Sequence, residues 1–218
     1  MKFNNILNIV ETNSPTTIDY DLLLEGSKIE YTPIRLPYAL NSLEPYIDKE
    51  TMNLHYNKHY KTYLKKLNEL MGKKRPSLKE LVINIKEKND KIRFNAGGAY
   101  NHEIWWQMLT PDRKKLGHLE ALFDRDFGSF NDFKNQFEEK ATTILGSGWC
   151  WLVTNDNKLS IVTTPNQDNP LMNSLGTPVL GIDMWEHAFY LKHGPDKKGW
   201  VNNFFKAVNW DFCNAVVG

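Results

Sequence analysis

Trp149-Cys-Trp-Leu-Val-Thr154, Asn155-Asp-Asn-Lys158, Leu159-Ser-Ile-Val-Thr-Thr164 is the stretch at which the chain stops being helical. β-Branched and aromatic residues fill both flanks, and the polar link tolerates a tight reversal, so the stretch predicts an antiparallel hairpin. Val179 to Asp183 predicts a third strand. Upstream the period is helical. From Asp48, residues Met52, Tyr56, Tyr60, Tyr63, Leu64, Leu67 and Met71 recur mainly at steps of three and four until Gly72. Ser77-Leu-Lys-Glu80 is a capping-box pattern for a second helix, and a third spans about Asn95 to Leu109 before Thr110-Pro111 stops it. Leu119 to Phe127 reads as a short helix, and Ser129 caps another carrying Phe133, Phe137 and Ala141. Helical pattern resumes over Trp185 to Leu191 and from Trp200 to the end. The fold class is α+β, with an extension over residues 1–30, a helical domain over 31–112 and an α+β domain over 113–218. Ile34-Arg-Leu-Pro-Tyr38 reads as the extended entry to the first domain.

Composition excludes several functions. The 218 residues carry 27 Lys+Arg against 26 Asp+Glu, a net charge of +1 without a basic stripe, so no nucleic-acid partner is expected. No apolar run approaches the roughly 18 residues of a membrane span, so no membrane partner is expected either. Cys150 and Cys213 sit in apolar, aromatic sequence and read as buried thiols of a reducing compartment. Residues 1–30 show neither a secretory nor a transit pattern, and a cytoplasmic location is expected.

The six histidines are where chemistry can show. His55 and His59 stand four apart on the first helix with Tyr63 four further on, so the three share nearly one face. His102 precedes Trp105 and Trp106, and Asp183 and His187 stand four apart where a strand gives way to a helix. Imidazole nitrogens with one carboxylate oxygen suit iron, manganese or zinc and suit magnesium or calcium poorly. On a helix, such a histidine pair is more often surface or packing than ligand. The pair also lacks the Glu directly after the first His that a zincin helix requires. His118 and His193 adjoin glycines and receive no chemistry, and the tryptophans are by default core. Spacing alone stops at a mononuclear metal site.

Four segments, in this order, resemble the iron/manganese superoxide dismutase family. They are Leu54 to Tyr63, Phe94 to His102 with Trp106 beyond, Gly146 to Trp151 leading to Asn166-Gln-Asp168, and Asp183-Met-Trp-Glu-His-Ala-Phe-Tyr190. The resemblance covers about residues 31 to 218 and implies an N-terminal helical hairpin and a C-terminal domain with a three-stranded antiparallel sheet. It implies that His55, His102, Asp183 and His187 bind one manganese or iron ion, which cycles between +3 and +2 to convert superoxide to oxygen and hydrogen peroxide. Gln167 matches the glutamine that reaches metal-bound solvent, and Gly97-Gly98 leave it room, so the chain is similar to the manganese type.

The resemblance further implies that Tyr63 and His59 line the substrate funnel and relay protons. Tyr190 would pair with His59 of a second subunit, and Glu186 with that subunit's His187, in a homodimer or a dimer of dimers. Trp106, Trp149, Trp151 and Trp185 would wall the metal. Departures stand beside these matches. Lys197-Lys198 replace the usual Arg-Pro, keeping charge without the guanidinium fork, and any attraction for a small anion is expected from such lysines around the funnel. Tyr60 replaces a histidine, and Ala99-Tyr100 differ from the typical residues before the second ligand. Two other functions are weighed. A metal hydrolase would need an acidic base near the open position, where only Glu186 is at hand. A catalytically silent member would serve as a metal-containing binding protein.

Overall fold

The computed structural model describes residues 30–72, 75–85, 89–112 and 114–218. All but the last residue of the expected extension lies outside these. The first half opens on Asp48, whose Oδ1 accepts from the Thr51 amide at 2.8 Å and starts α1, Lys49–Leu54. The expected continuous α-helix is wound as a π-helix over His55–Tyr60 before resuming as α2, Lys61–Met71, which ends at Gly72 with φ 70°. A step of four comes close to one full revolution in either winding, so His55 and His59 stay near one face. Within that face His55 is fully buried while His59 is only partly so.

The capping box of Ser77 and Glu80 forms as expected and starts α3, Leu78–Asn84. The next helix, α4, spans Asp90–Gln107 and so begins before Asn95, because the Asn89 side chain accepts from the Lys91 and Ile92 amides. α2 and α4 pack side by side, with Leu64, Leu67, Ala96 and Ala99 in their shared core.

In the second half, α5 (Leu119–Phe127) and α6 (Phe130–Thr142, capped by Ser129) lie against an antiparallel sheet. Its strands are β1 (Gly148–Asn155), β2 (Lys158–Pro165) and β3 (Thr177–Asp183), in the order β2-β1-β3. Asp156 and Asn157 both take positive φ, 48° and 62°, as a two-residue hairpin turn of the favoured twist demands. The register sets Trp149 opposite Asp183.

The C-terminal helices differ from expectation. Trp185 to Leu191 is a 3-10 turn, Glu186–Ala188, followed by the short α7, Tyr190–His193. The helix expected from Trp200 onward is two, α8 (Lys197–Phe204) and α9 (Trp210–Val217). The break has a use, since the intervening chain pairs with the end of α4. Thr110 donates to the Ala207 carbonyl and Asn209 to that of Met108, both at 2.8 Å, stitching the two halves together.

Lys197 and Lys198 begin α8. Lys197 Nζ donates to the Ile144 carbonyl at 3.1 Å, and Lys198 faces Glu138 on α6 at 3.9 Å. Ile144 lies just past the end of α6.

Candidate metal centre

Four side chains from two helices, a strand end and a turn meet in the core. His55 comes from the π-turn, His102 from α4, Asp183 from the last position of β3 and His187 from the 3-10 turn. The Nε2 atoms of His55, His102 and His187 lie 3.2, 3.5 and 3.3 Å from one oxygen, Oδ2 of Asp183. His55 Nε2 and His102 Nε2 are 2.8 Å apart, too close for both to carry protons. All four ligand atoms lie within 4.8 Å of one another. Donors placed about 2.1 Å from a shared ion stand about 3 Å apart at right angles, so the cluster has the spacing of a coordination shell.

The surroundings orient these atoms. His102 Nδ1 lies 2.6 Å from the Gly98 carbonyl and donates to it, which leaves Nε2 with its lone pair toward the cluster. The Trp185 amide donates to Asp183 Oδ1 at 2.8 Å, leaving Oδ2 to the histidines, and the Trp200 indole donates to the Asp183 carbonyl at 2.9 Å. Asp183 Oδ2 and His187 Nε2 are buried and have no hydrogen-bond partner. Buried polar atoms left so, all aimed at one point, fit a cation between them. Three nitrogens and one carboxylate oxygen, without thiolate, could hold a single first-row metal.

Beside the cluster, Gln167 Nε2 donates to the Tyr63 hydroxyl at 3.1 Å. The amide's orientation is fixed because its Oε1 accepts from the Trp149 indole at 3.1 Å and from Asn101 at 3.4 Å. His59 stacks on His187 with ring centroids 4.0 Å apart. Trp106 and Trp105 lie against His55, with centroids 5.1 and 5.0 Å away, while Trp149 meets His102 at 5.4 Å and Trp185 meets His187 at 5.6 Å. Trp151 instead stacks behind Trp149 at 5.0 Å and bonds Thr164. Glu186 and Tyr190 are exposed, and among the described residues neither side chain has a hydrogen bond or ion pair within the chain.

Sequence reasoning passed over Trp105 as a wall of the cluster and Asn101 as a partner of Gln167. Trp105 stands three residues beyond His102, on the same helix face, which is a signal that could have found it. Asn101 offered only a polar residue amid a buried helical run. The two glycines also divide their work differently than expected. A Cβ on Gly97 would meet the Gln167 backbone carbonyl at 2.0 Å, whereas one on Gly98 would meet the Tyr63 ring at 2.6 Å.

Burial pushes the His55 imidazole down to about 4 and His102 well below its ordinary value, and it does the same to the half-buried His59, to about 4. Burial raises the Tyr63 phenol, and the negative Asp183 adds to the effect. For His55 and His102 the unfolded chain binds protons at a pH where the folded chain does not. Stability of the metal-free protein is therefore fully present above about pH 6.5 and falls as pH drops toward 4. His55 alone accounts for roughly 3 kcal/mol over that window. Denaturant melts of metal-free protein between pH 7 and pH 4 check this, and a flat profile would contradict it.

These features define a mononuclear metalloprotein in which each half of the chain supplies two ligand candidates to one buried centre. Residues 30–110 match the family described as iron/manganese superoxide dismutases, alpha-hairpin domain, and residues 115–216 match its C-terminal domain. The chain is also 44% identical over 182 residues to proteins named superoxide dismutase (Mn/Fe) 2 in Staphylococcus aureus strains COL and USA300, covering 80% of this chain and 91% of each relative. The chain belongs to the iron/manganese superoxide dismutase family.

Proposed function

We propose that the chain dismutes superoxide to oxygen and hydrogen peroxide with one manganese ion held by His55, His102, Asp183 and His187. The observation that carries this reading is the convergence of three imidazole Nε2 atoms on Asp183 Oδ2. When bound, the ion supplies one electron to one superoxide and withdraws one from another as it alternates between +2 and +3. Two protons must reach the reduced oxygen. Tyr63, donating or accepting beside Gln167, and the half-buried His59, stacked on His187, would form the proton route. Trp105, Trp106 and Trp149 cover the histidines and exclude bulk water.

Manganese is preferred to iron because Gln167 approaches over Gly97 while the Tyr63 ring fills the space above Gly98, where iron-type members carry the glutamine. Gln167 would then hydrogen-bond solvent on the ion and set its potential. Gln167→Ala should retain metal with a shifted midpoint potential, and an unshifted redox titration would overturn this role. Metal analysis with a dismutation assay tests the whole reading: a protein that takes up only zinc and shows no dismutation would refute it. A hydrolase is disfavoured because Glu186, the acid it would need, is exposed rather than aimed into the cluster.

The exposed Glu186 and Tyr190, beside the half-buried His59 and His187, support a homodimer in which these residues bond across the interface. Sedimentation checks the pairing, and a monomer of full activity would contradict it. Among the described residues no helix is long and apolar enough to cross a membrane. Cys150 and Cys213 are buried free thiols, which supports a reducing, cytoplasmic setting.

A further inference from the structure

Arg93, Gly97 and Asn101 stand four apart on α4 and form one ridge. All three address the loop after β2. Arg93 Nε and a terminal guanidinium nitrogen donate to the two carboxylate oxygens of Asp168, each at 2.8 Å, and the same terminal nitrogen reaches Asn173 at 2.8 Å. Gly97 leaves its missing Cβ to the Gln167 carbonyl, and Asn101 Nδ2 donates to that carbonyl at 3.1 Å. The neighbouring ridge, Phe94, Gly98 and His102, addresses Tyr63: ring centroids of Phe94 and His102 lie 5.8 and 5.3 Å from it, and its ring occupies the space that a Cβ on Gly98 would take. One helix thus seats both partners of the bond between Gln167 and Tyr63.

The loop is held residue by residue. Trp185 donates to the Asn166 carbonyl at 2.9 Å, Thr164 to that of Asp168 at 2.6 Å, and Asn169 to Asn101 at 3.0 Å. The Arg93–Asp168 contact is the ionic, two-pronged one, with the side chains only 20% and 24% exposed, so it is shielded from water more than a surface pair. It grips the residue directly after Gln167. Loss of the grip lets the Gln167 carbonyl draw back from the glycine seat, and the side-chain amide moves with it.

We propose that Arg93 and Asp168 are positioning residues that set Gln167 against Tyr63 and, through that amide, the potential of the bound ion. The inference rests on the reading of Gln167 above. Arg93→Met, Asp168→Asn and the exchange Arg93→Asp with Asp168→Arg are compared with Gln167→Ala. Two quantities are read: the midpoint potential of the manganese-loaded protein, and the side-chain amide proton–nitrogen resonance of Gln167 in metal-free protein. Both single variants should shift the resonance and move the potential in the direction of Gln167→Ala by a smaller amount, and the exchange should recover most of each shift. A lower melting temperature with both readouts at wild-type values would overturn the proposal and leave the pair a mere brace. An unshifted potential in Gln167→Ala would instead defeat the reading of Gln167, while the resonance still decides whether the pair positions it. Should Arg93→Met fail to fold, Arg93→Lys keeps the charge without the fork, and an unchanged resonance there and in Asp168→Asn would be equally fatal.

Discussion

Asp183→Ala is expected to strip the protein of its metal. The carboxylate is fully buried, and its Oδ2 faces three imidazoles and no hydrogen-bond donor from the backbone. Burying a charge costs free energy, which the Trp185 amide on Oδ1 and the surrounding imidazoles offset in part and a bound cation would offset further. Removing the carboxylate removes the one anionic member of the cluster. A tightly bound ion at a thousandfold excess over its dissociation constant stabilises by about 4 kcal/mol, or roughly 10 °C in a chain this long. Wild-type protein should therefore melt about that much higher with manganese than without, and Asp183→Ala should melt at one temperature in both conditions. A metal-dependent rise in Asp183→Ala would show that the ligand set is misassigned.

Gly97→Ala carries the second large effect, and its sign is opposite to the usual one. Replacing a helical glycine with alanine ordinarily stabilises by about 1 kcal/mol. At Gly97 the new Cβ would fall 2.0 Å from the Gln167 backbone oxygen, with the Met172 side chain 3.1 Å away. The oxygen belongs to the backbone of an anchored loop and cannot swing aside, so helix and loop must part. The cost is about 3 kcal/mol, the upper end for overpacking. Chemical denaturation should show it, together with loss of the Trp149 and Asn101 bonds that hold the Gln167 amide. A more stable Gly97→Ala protein would mean the loop is not seated as described.

The hairpin was fully legible, because strand residues alternate with a link that tolerates positive φ at Asp156 and Asn157. Both strands extend only a residue beyond the expected bounds at either end. Helix starts were legible where a side chain caps visibly, as at Ser77 and Ser129, and missed at Asn89, whose cap competes with a polar run that hides the period. The π-turn left no signal, since its residues carry ordinary helical spacing. The break between α8 and α9 was hidden for a related reason: it serves a pairing with Leu109, nearly a hundred residues earlier, and local pattern does not report distant partners. Lys197 and Lys198 show the same limit, because charge is visible in a sequence and direction is not. The four-residue cluster was legible only through resemblance, as two of its members come from each half.

That division has a consequence for how the protein is made. A ribosome completes the helical half, with His55 and His102 already in place, well before it reaches Asp183 and His187. The seam that joins the halves waits longer still, until residues 207–209 emerge to pair with 108–110. A truncated or stalled chain would carry only two of the four proposed ligands and no closed core around them. With the ligands proposed above, an unfinished copy would have no closed site for an ion, and so no redox chemistry, until its last residues are translated.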